Sequence, residues 1–112
     1  MIGHYSPFIE HNGVIYISGQ LPINPQTMEL PRSIKEQTKA VLDKLDKILN
    51  QANSSKNKIL QVRIYLTDIH YWDEVNEVYA EYFGEHKPAR CVVPVTSLHY
   101  GCKIELEAIA AK

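Results

Sequence analysis

A small α+β domain, one sheet with two helices packed on a single face, is the fold class this sequence predicts, and three features predict it. Asn12-Gly13 stands between two short extended runs near the start, the strongest short-range signal for a β-hairpin. Two later segments carry apolar residues at the 3–4 spacing of a half-buried helix, from Ile34 to Ala52 and from Trp72 to Phe83. The remaining apolar runs, at 59–68, 90–95 and 102–110, read as strands. Strands, helix, strand, helix, strand, strand is an order that lets one sheet bury against both helices.

In the first hairpin, residues 5–10 form a short extended element and Asn12-Gly13 supplies the positive φ values of a tight turn. The next strand, Val14-Ile15-Tyr16-Ile17-Ser18, is apolar at nearly every position. A small antiparallel sheet normally keeps one wet face, so this run predicts that the side away from the helices is covered too, for example by another subunit. Gly19 to Gln26 reads as a loop punctuated by Pro22 and Pro25. Ser33 is a good N-cap, and Glu36 three residues on completes a capping box. Ile34, Thr38, Val41, Leu42, Leu45, Ile48, Leu49 and Ala52 then form one stripe, and Lys35, Lys39, Asp43, Lys44, Asp46 and Lys47 read as its solvated counterpart.

After the polar stretch 53–58, alternation places Leu60, Val62, Ile64 and Leu66 on one side of a strand and Gln61, Arg63 and Tyr65 on the other. The second helix carries Trp72, Val75, Tyr79, Tyr82 and Phe83 as a core stripe, and residues 84–88 break it. In the closing strands Cys91, Val93 and Val95 read as one core row, and Ile104, Leu106 and Ala108 as the other.

A chain of 112 residues suits one domain, here 1–112, which buries roughly 60–70% of its unfolded surface without staples. It is 45% hydrophobic and 22% charged with a net charge of −1, which counts against nucleic acid as the main partner. No window reaches the ~20 apolar residues of a membrane span. Cys91 and Cys102 are too few for a disulfide scaffold. A bridge across a hairpin is geometrically conceivable, but two core thiols in a reducing cytoplasm is the reading taken. The five histidines show no HxxxH or HExxH pattern, so no metal site is expected.

The sharpest chemistry lies in those last two strands. If they pair across the turn at 96–101, Arg90 and Glu105 share the face away from the helices and lie within reach of each other. On a bare sheet face this is a surface salt bridge worth well under ~1 kcal/mol. The same face, however, carries Val92, Pro94 and Ile109, so it is not simply wet. A guanidinium offers a planar fork for a carboxylate, and a nearby carboxylate can take a proton from water or give one to a leaving group. Asn76, at the border of the second helix's stripe, is either a packing group or a reach into a site. Tyr5 is either core or a pocket wall.

Six segments stand in order along nearly the whole chain: Gly3-x-Tyr5, Ile15-Tyr16-Ile17-Ser18-Gly19-Gln20, Gln37-Thr38 with Leu42-Asp43, Val75-Asn76-x-x-Tyr79 with Tyr82-Phe83, Pro88-Ala89-Arg90 and Ile104-Glu105-Leu106-Glu107. Together they resemble the Rid (YjgF, reactive-intermediate deaminase) family. The resemblance implies a chorismate-mutase-like (bacillus-type) α+β fold of order βββαβαββ, a mixed sheet, and a homotrimer with clefts between subunits. It implies hydrolytic deamination of enamine/imine acids of the 2-aminoacrylate and 2-aminocrotonate type, giving 2-keto acids and ammonia, with no cofactor. By position, Arg90 would bind the substrate carboxylate and Glu105 would activate water. Tyr5, Ser18, Gly19, Asn76 and the backbone at Val92 would line the cleft. Met28 stands where the family usually has Gly, His99 where Pro is common, and the loop before Pro88 is short. A non-catalytic trimer binding small carboxylates is the main alternative, with an endoribonuclease or translation inhibitor behind it.

Overall fold

The computed structural model describes residues 3–112. Strand β1 (Phe8–His11) turns into β2 (Val14–Gln20) through Asn12 and Gly13, whose φ values of 51° and 76° are those the hairpin signal demands. Helix α1 (Ile34–Gln51) begins at Ser33. The Ser33 hydroxyl accepts from the Glu36 N–H, and the Glu36 carboxylate accepts from the Ser33 N–H, so two otherwise unpaired donors are satisfied reciprocally. Strand β3 (Ile59–Leu66), helix α2 (Trp72–Phe83) and strands β4 (Ala89–Pro94) and β5 (Ile104–Ala111) complete the chain. Two strands, not three, precede α1 among the described residues, because the segment after Gln20 runs as loop. The observed order is ββαβαββ.

The five strands lie in the order β1-β2-β5-β3-β4. Among the described residues only β3 and β4 pair in parallel, and α2 is the crossover that a parallel neighbour requires. The expectation that β4 and β5 pair as a hairpin fails, since β3 lies between them and β5 pairs with β2 and β3. Residues 96–103 are thus a connection that passes the end of β3, with Tyr100 at φ 60° and ψ 22°.

Both helices cover one face. Val41, Leu42, Leu45 and Leu49 of α1, with Val75, Tyr79 and Phe83 of α2, pack with Ile15, Ile17, Val62, Ile64, Leu66, Ile104 and Leu106 of the sheet. A shift in pairing between Ile59 and Gln61 puts Ile59 in the core and turns Leu60 outward, half exposed, which corrects the simple alternation predicted for β3. On the opposite face Ile9 pairs with Tyr16 and Tyr16 with Ile109, leaving Ile9 and Tyr16 about half exposed.

Two members of the predicted solvated face of α1 are half-buried instead. Lys44 donates to the carbonyls of Leu21 (2.6 Å) and Ile23 (2.5 Å), tying the loop after β2 to the helix. Asp46 accepts from the Tyr82 hydroxyl at 2.7 Å and so joins α1 to α2. Cys91 is exposed and Cys102 buried, both as free thiols, so only one of the two expected core cysteines lies in the core.

Candidate functional site

Arg90 leaves β4 toward the helices. Its pairing partner in β3 is Val62 and that of Val92 is Ile64, and both partners lie buried beneath the helix layer. The parity expected for β4 is therefore reversed: Arg90 and Val92 face the helix side, while Cys91 and Val93 lie on the other, exposed side. With apolar residues at alternate and intervening positions, hydrophobicity alone cannot assign the faces of this edge strand. The polar residue turned inward because α2 provides for it. Asn76 Oδ1 accepts from Arg90 Nη1 at 3.0 Å, and the guanidinium carbon lies 4.6 Å from the Tyr79 ring centroid and 5.5 Å from that of Trp72. Residues 72, 76 and 79 share one face of α2 by the i, i+4, i+7 rule, and together they orient the cation. The cleft in front of Arg90 has a volume of about 330 Å³ and is walled by Asn76, Tyr79, Gly84 and Pro88 among others.

Glu105 leaves β5 on the opposite side. It pairs with Tyr65, between Ile104 and Leu106, which are buried under the helices. Its carboxylate lies directly against Gly19, so close that a Cβ there would overlap Oε2. Gly19, Ser18, Tyr5, His99 and Tyr100 line a second, wider cleft of about 850 Å³ that also holds Glu105. The Ser18 hydroxyl donates to the Ser6 carbonyl (2.6 Å) and its N–H to the Pro7 carbonyl (3.0 Å), which fixes the chain around Gly19. Burial pushes the Glu105 carboxyl above its ordinary value, the neighbouring Glu107 charge adds to the rise, and His99 opposes it. Glu107 is itself held by the Tyr65 hydroxyl at 2.7 Å and by Arg63 at 3.5 Å.

The structure thus gathers Tyr5, Ser18, Gly19 and Glu105 into one cleft and sets Arg90 with Asn76 at another. Arg90 and Glu105 are on opposite faces of the sheet, and within one chain they form no pair. Their expected placement on one face rested on a β4–β5 hairpin, and it falls with that pairing. The Val92 side chain packs against the core. Its backbone belongs to the sheet's outer strand, which has no neighbour beyond it among the described residues. Sequence reading assigned Trp72 and Tyr79 to the core stripe and missed their contact with Arg90. The helical spacing of both with Asn76 was the available signal.

A five-stranded mixed sheet with two helices on one face is the fold this chain shares with solved structures of Rid proteins. The chain belongs to the family described as Endoribonuclease L-PSP, which it matches over residues 1–112. A RutC family protein of Pyrococcus abyssi is 46% identical over 112 residues, covering 99% of this chain and 88% of the relative. The solved structure of a Rid family protein from Yersinia pestis superposes with a TM-score of 0.94 at 43% identity, covering 100% of this chain and 90% of that one. Escherichia coli TdcF, provisionally named a reactive intermediate deaminase, is 33% identical over 114 residues, covering 99% of this chain and 88% of its own. Its crystal structure with bound serine superposes with a TM-score of 0.93, covering 100% and 91% of the two chains.

Proposed function

We propose that this protein hydrolyses reactive enamine/imine acids, of the 2-aminoacrylate and 2-aminocrotonate type, to 2-keto acids and ammonia. The observation that carries the proposal is the division of the site. A braced guanidinium with free donors fits a substrate carboxylate. A carboxyl with a raised pKa, held against a glycine, fits a water-handling acid. The name borne by TdcF, and the serine bound in its structure, support small amino-acid-like ligands for this family.

In this reading the site is completed between copies of the chain, arranged as a homotrimer. The cleft of Glu105 on one subunit faces the Arg90 edge of the next. The exposed Ile9, Tyr16 and Val93 on the sheet's open side support burial of that face by another copy. Arg90 holds the carboxylate, and an outward backbone carbonyl near Val92 orients the nitrogen or the water. Ionised Glu105 takes a proton from water as the new C–O bond forms at the imine carbon, and the imine nitrogen takes up a proton. That proton is the one Glu105 drew from the water; in the resulting carbinolamine Glu105 or solvent relays the C–O–H proton to the nitrogen, the C–N bond breaks, and ammonia leaves the keto acid. An imine is already electrophilic, so positioning of water and anion supplies much of the acceleration.

A coupled assay tests this directly. A threonine/serine dehydratase generates the imine, and loss of its absorbance is followed. The parent protein speeds that loss, and Arg90→Ala and Glu105→Ala do not. An unchanged decay rate with parent protein, or full activity in Arg90→Ala, rejects the assignment. Light scattering on the same sample gives the assembly, and a monomer that is active overturns the shared site.

The serine seated in TdcF also favours a second reading, a trimer that binds small carboxylates without turnover. Saturable binding of such acids with no change in imine decay selects it.

A further inference from the structure

Four residues other than glycine take a positive φ among the described residues, and two of them, Asn12 and Asn53, are of the type that tolerates it. The other two are bulky: Met28 at φ 62°, and Tyr100 at φ 60° and ψ 22°. Backbone strain of this kind persists where the surrounding structure enforces it, and it gathers at ligand sites. Met28 and Tyr100 lie far apart in the chain, yet both line one chamber of about 600 Å³. That chamber opens off the Glu105 cleft, because Gly3, Tyr5, Gly19, Leu21 and Tyr100 belong to the walls of both.

The chamber is largely apolar. Leu21, Ile23 and Pro25 contribute to its walls, and so do Tyr5, Met28 and Tyr100, which are 71%, 51% and 53% exposed. Large apolar side chains left open together mark a binding surface. Gln20 and Lys44 also line the chamber, but both are tied to backbone carbonyls, Gln20 to that of Ser18 at 2.9 Å and Lys44 to those of Leu21 and Ile23. The three exposed groups are held in place. The Met28 N–H donates to the Asn24 carbonyl at 2.7 Å, and the Tyr100 and His99 ring centroids are 3.9 Å apart. The Tyr5 ring lies so close against Gly3 that a Cβ there would overlap it.

We infer that this chamber receives the substrate's side chain, and that Met28 and Tyr100 select imino acids with large apolar or aromatic side chains over alanine-sized ones. The inference rests on the proposed imine hydrolysis and adds a side-chain class to it. With the imine carbon beside Glu105, a short side chain ends inside the Glu105 cleft. A longer one continues along the shared walls at Gly19 and Leu21 into the chamber. There it covers Met28 and Tyr100, and apolar surface of both partners leaves water.

The test sets turnover beside binding. A flavin amino-acid oxidase supplies the imines of alanine, leucine and phenylalanine, and semicarbazide traps whatever survives the intact protein. The parent's kcat/KM for the leucine and phenylalanine imines should exceed that for the alanine imine roughly tenfold or more. Met28→Gly, whose residue is at ease at this φ, should keep the parent's melting temperature and lower that preference roughly threefold to tenfold. Tyr100→Gly should lower it likewise, and Met28→Leu, still apolar, should retain it. NMR titration with 3-phenylpropanoate and propanoate should show the same shifts without any turnover. A parent with no preference, or a preference unmoved by both glycine variants, overturns the inference. So does an equal loss on all three imines together with a lower melting temperature, which marks the two residues as structural only. Imine turnover without side-chain preference sinks only the chamber. Preferential binding of the phenyl acid that Met28→Gly abolishes, with no turnover of any imine, sinks only the reaction.

Discussion

Replacing Gly19 with alanine separates the position of Glu105 from the stability of the fold. A Cβ at Gly19 would overlap Glu105 Oε2 and lie 3.1 Å from Cδ, so the carboxylate must swing away. The glycine's backbone lies outside the left-handed region, and alanine takes it without strain. The unfolded chain loses freedom in the exchange, a gain of about 0.4–1 kcal/mol for the variant. Forcing the Glu105 side chain off its rotamer costs about 0.5–1.5 kcal/mol. The two nearly cancel, so the melting temperature stays close to the parent's. The carboxylate, however, is displaced by on the order of 1 Å, which is worth about 10²-fold in rate for a group that must place a water. The dehydratase-coupled assay, run beside a melting curve, reads both quantities. A fully active Gly19→Ala would refute the role of the Gly19–Glu105 contact, and a large loss of stability would refute the backbone argument.

Other substitutions read different parts of the site and fold. Arg90→Lys keeps the charge but loses the planar fork and the Asn76 contact, so the half-saturating substrate concentration should rise about 10-fold to 100-fold with a smaller change in kcat. The pH response follows from the raised Glu105 carboxyl. The folded chain keeps this proton as pH rises above the ordinary value of 4.5, so stability falls across the window from there to the raised value, and activity, which needs the ionised form, switches on only above it. Glu107→Gln removes the neighbouring negative charge that adds to the rise, and the acid limb of kcat/KM should move to lower pH while the effect of burial persists. An unmoved limb would show that Glu105 is not the group being read. Gln37 is 1% exposed and bridges the Pro31 carbonyl (2.8 Å) and the Lys103 N–H (2.9 Å). Gln37→Leu strands both, at about 2–4 kcal/mol, and should lower the melting temperature by on the order of 10 °C.

The helices and the first hairpin could be read from the sequence because their signals are local. Ser33 with Glu36, the stripe from Ile34 to Ala52, and Asn12-Gly13 each fix structure within a few residues of themselves. Strand pairing is not local. Whether β4 neighbours β5 or β3 depends on where α2 carries the chain, and nothing in residues 89–111 encodes that. The site assignment suffered from the same gap. Glu105 could be placed on the open face because Ile104, Leu106 and Ala108 alternate cleanly. Arg90 could not, since Val92 and Val93 satisfy either parity, and the deciding contacts come from Trp72, Asn76 and Tyr79 on another element. Met28 shows a third kind of legibility. Its φ of 62° lies in the left-handed region where glycine is most at ease, which accounts for the glycine usual at this place in the resembling family. Lys44 and Asp46 matched a solvated face by composition, but each had found a partner at a distance in the chain.

Because the Arg90 side chain leaves from the helix-covered face and that of Glu105 from the open one, the sheet separates the two as a wall does. For the proposed assembly this has a genetic consequence. A subunit lacking Arg90 and a subunit lacking Glu105 are each inert alone, yet a ring built from both contains junctions where the intact arginine of one meets the intact glutamate of the other. Random mixing in equal amounts would restore about a quarter of the sites. Activity would also fade on dilution below the concentration at which rings come apart, with every polypeptide still folded.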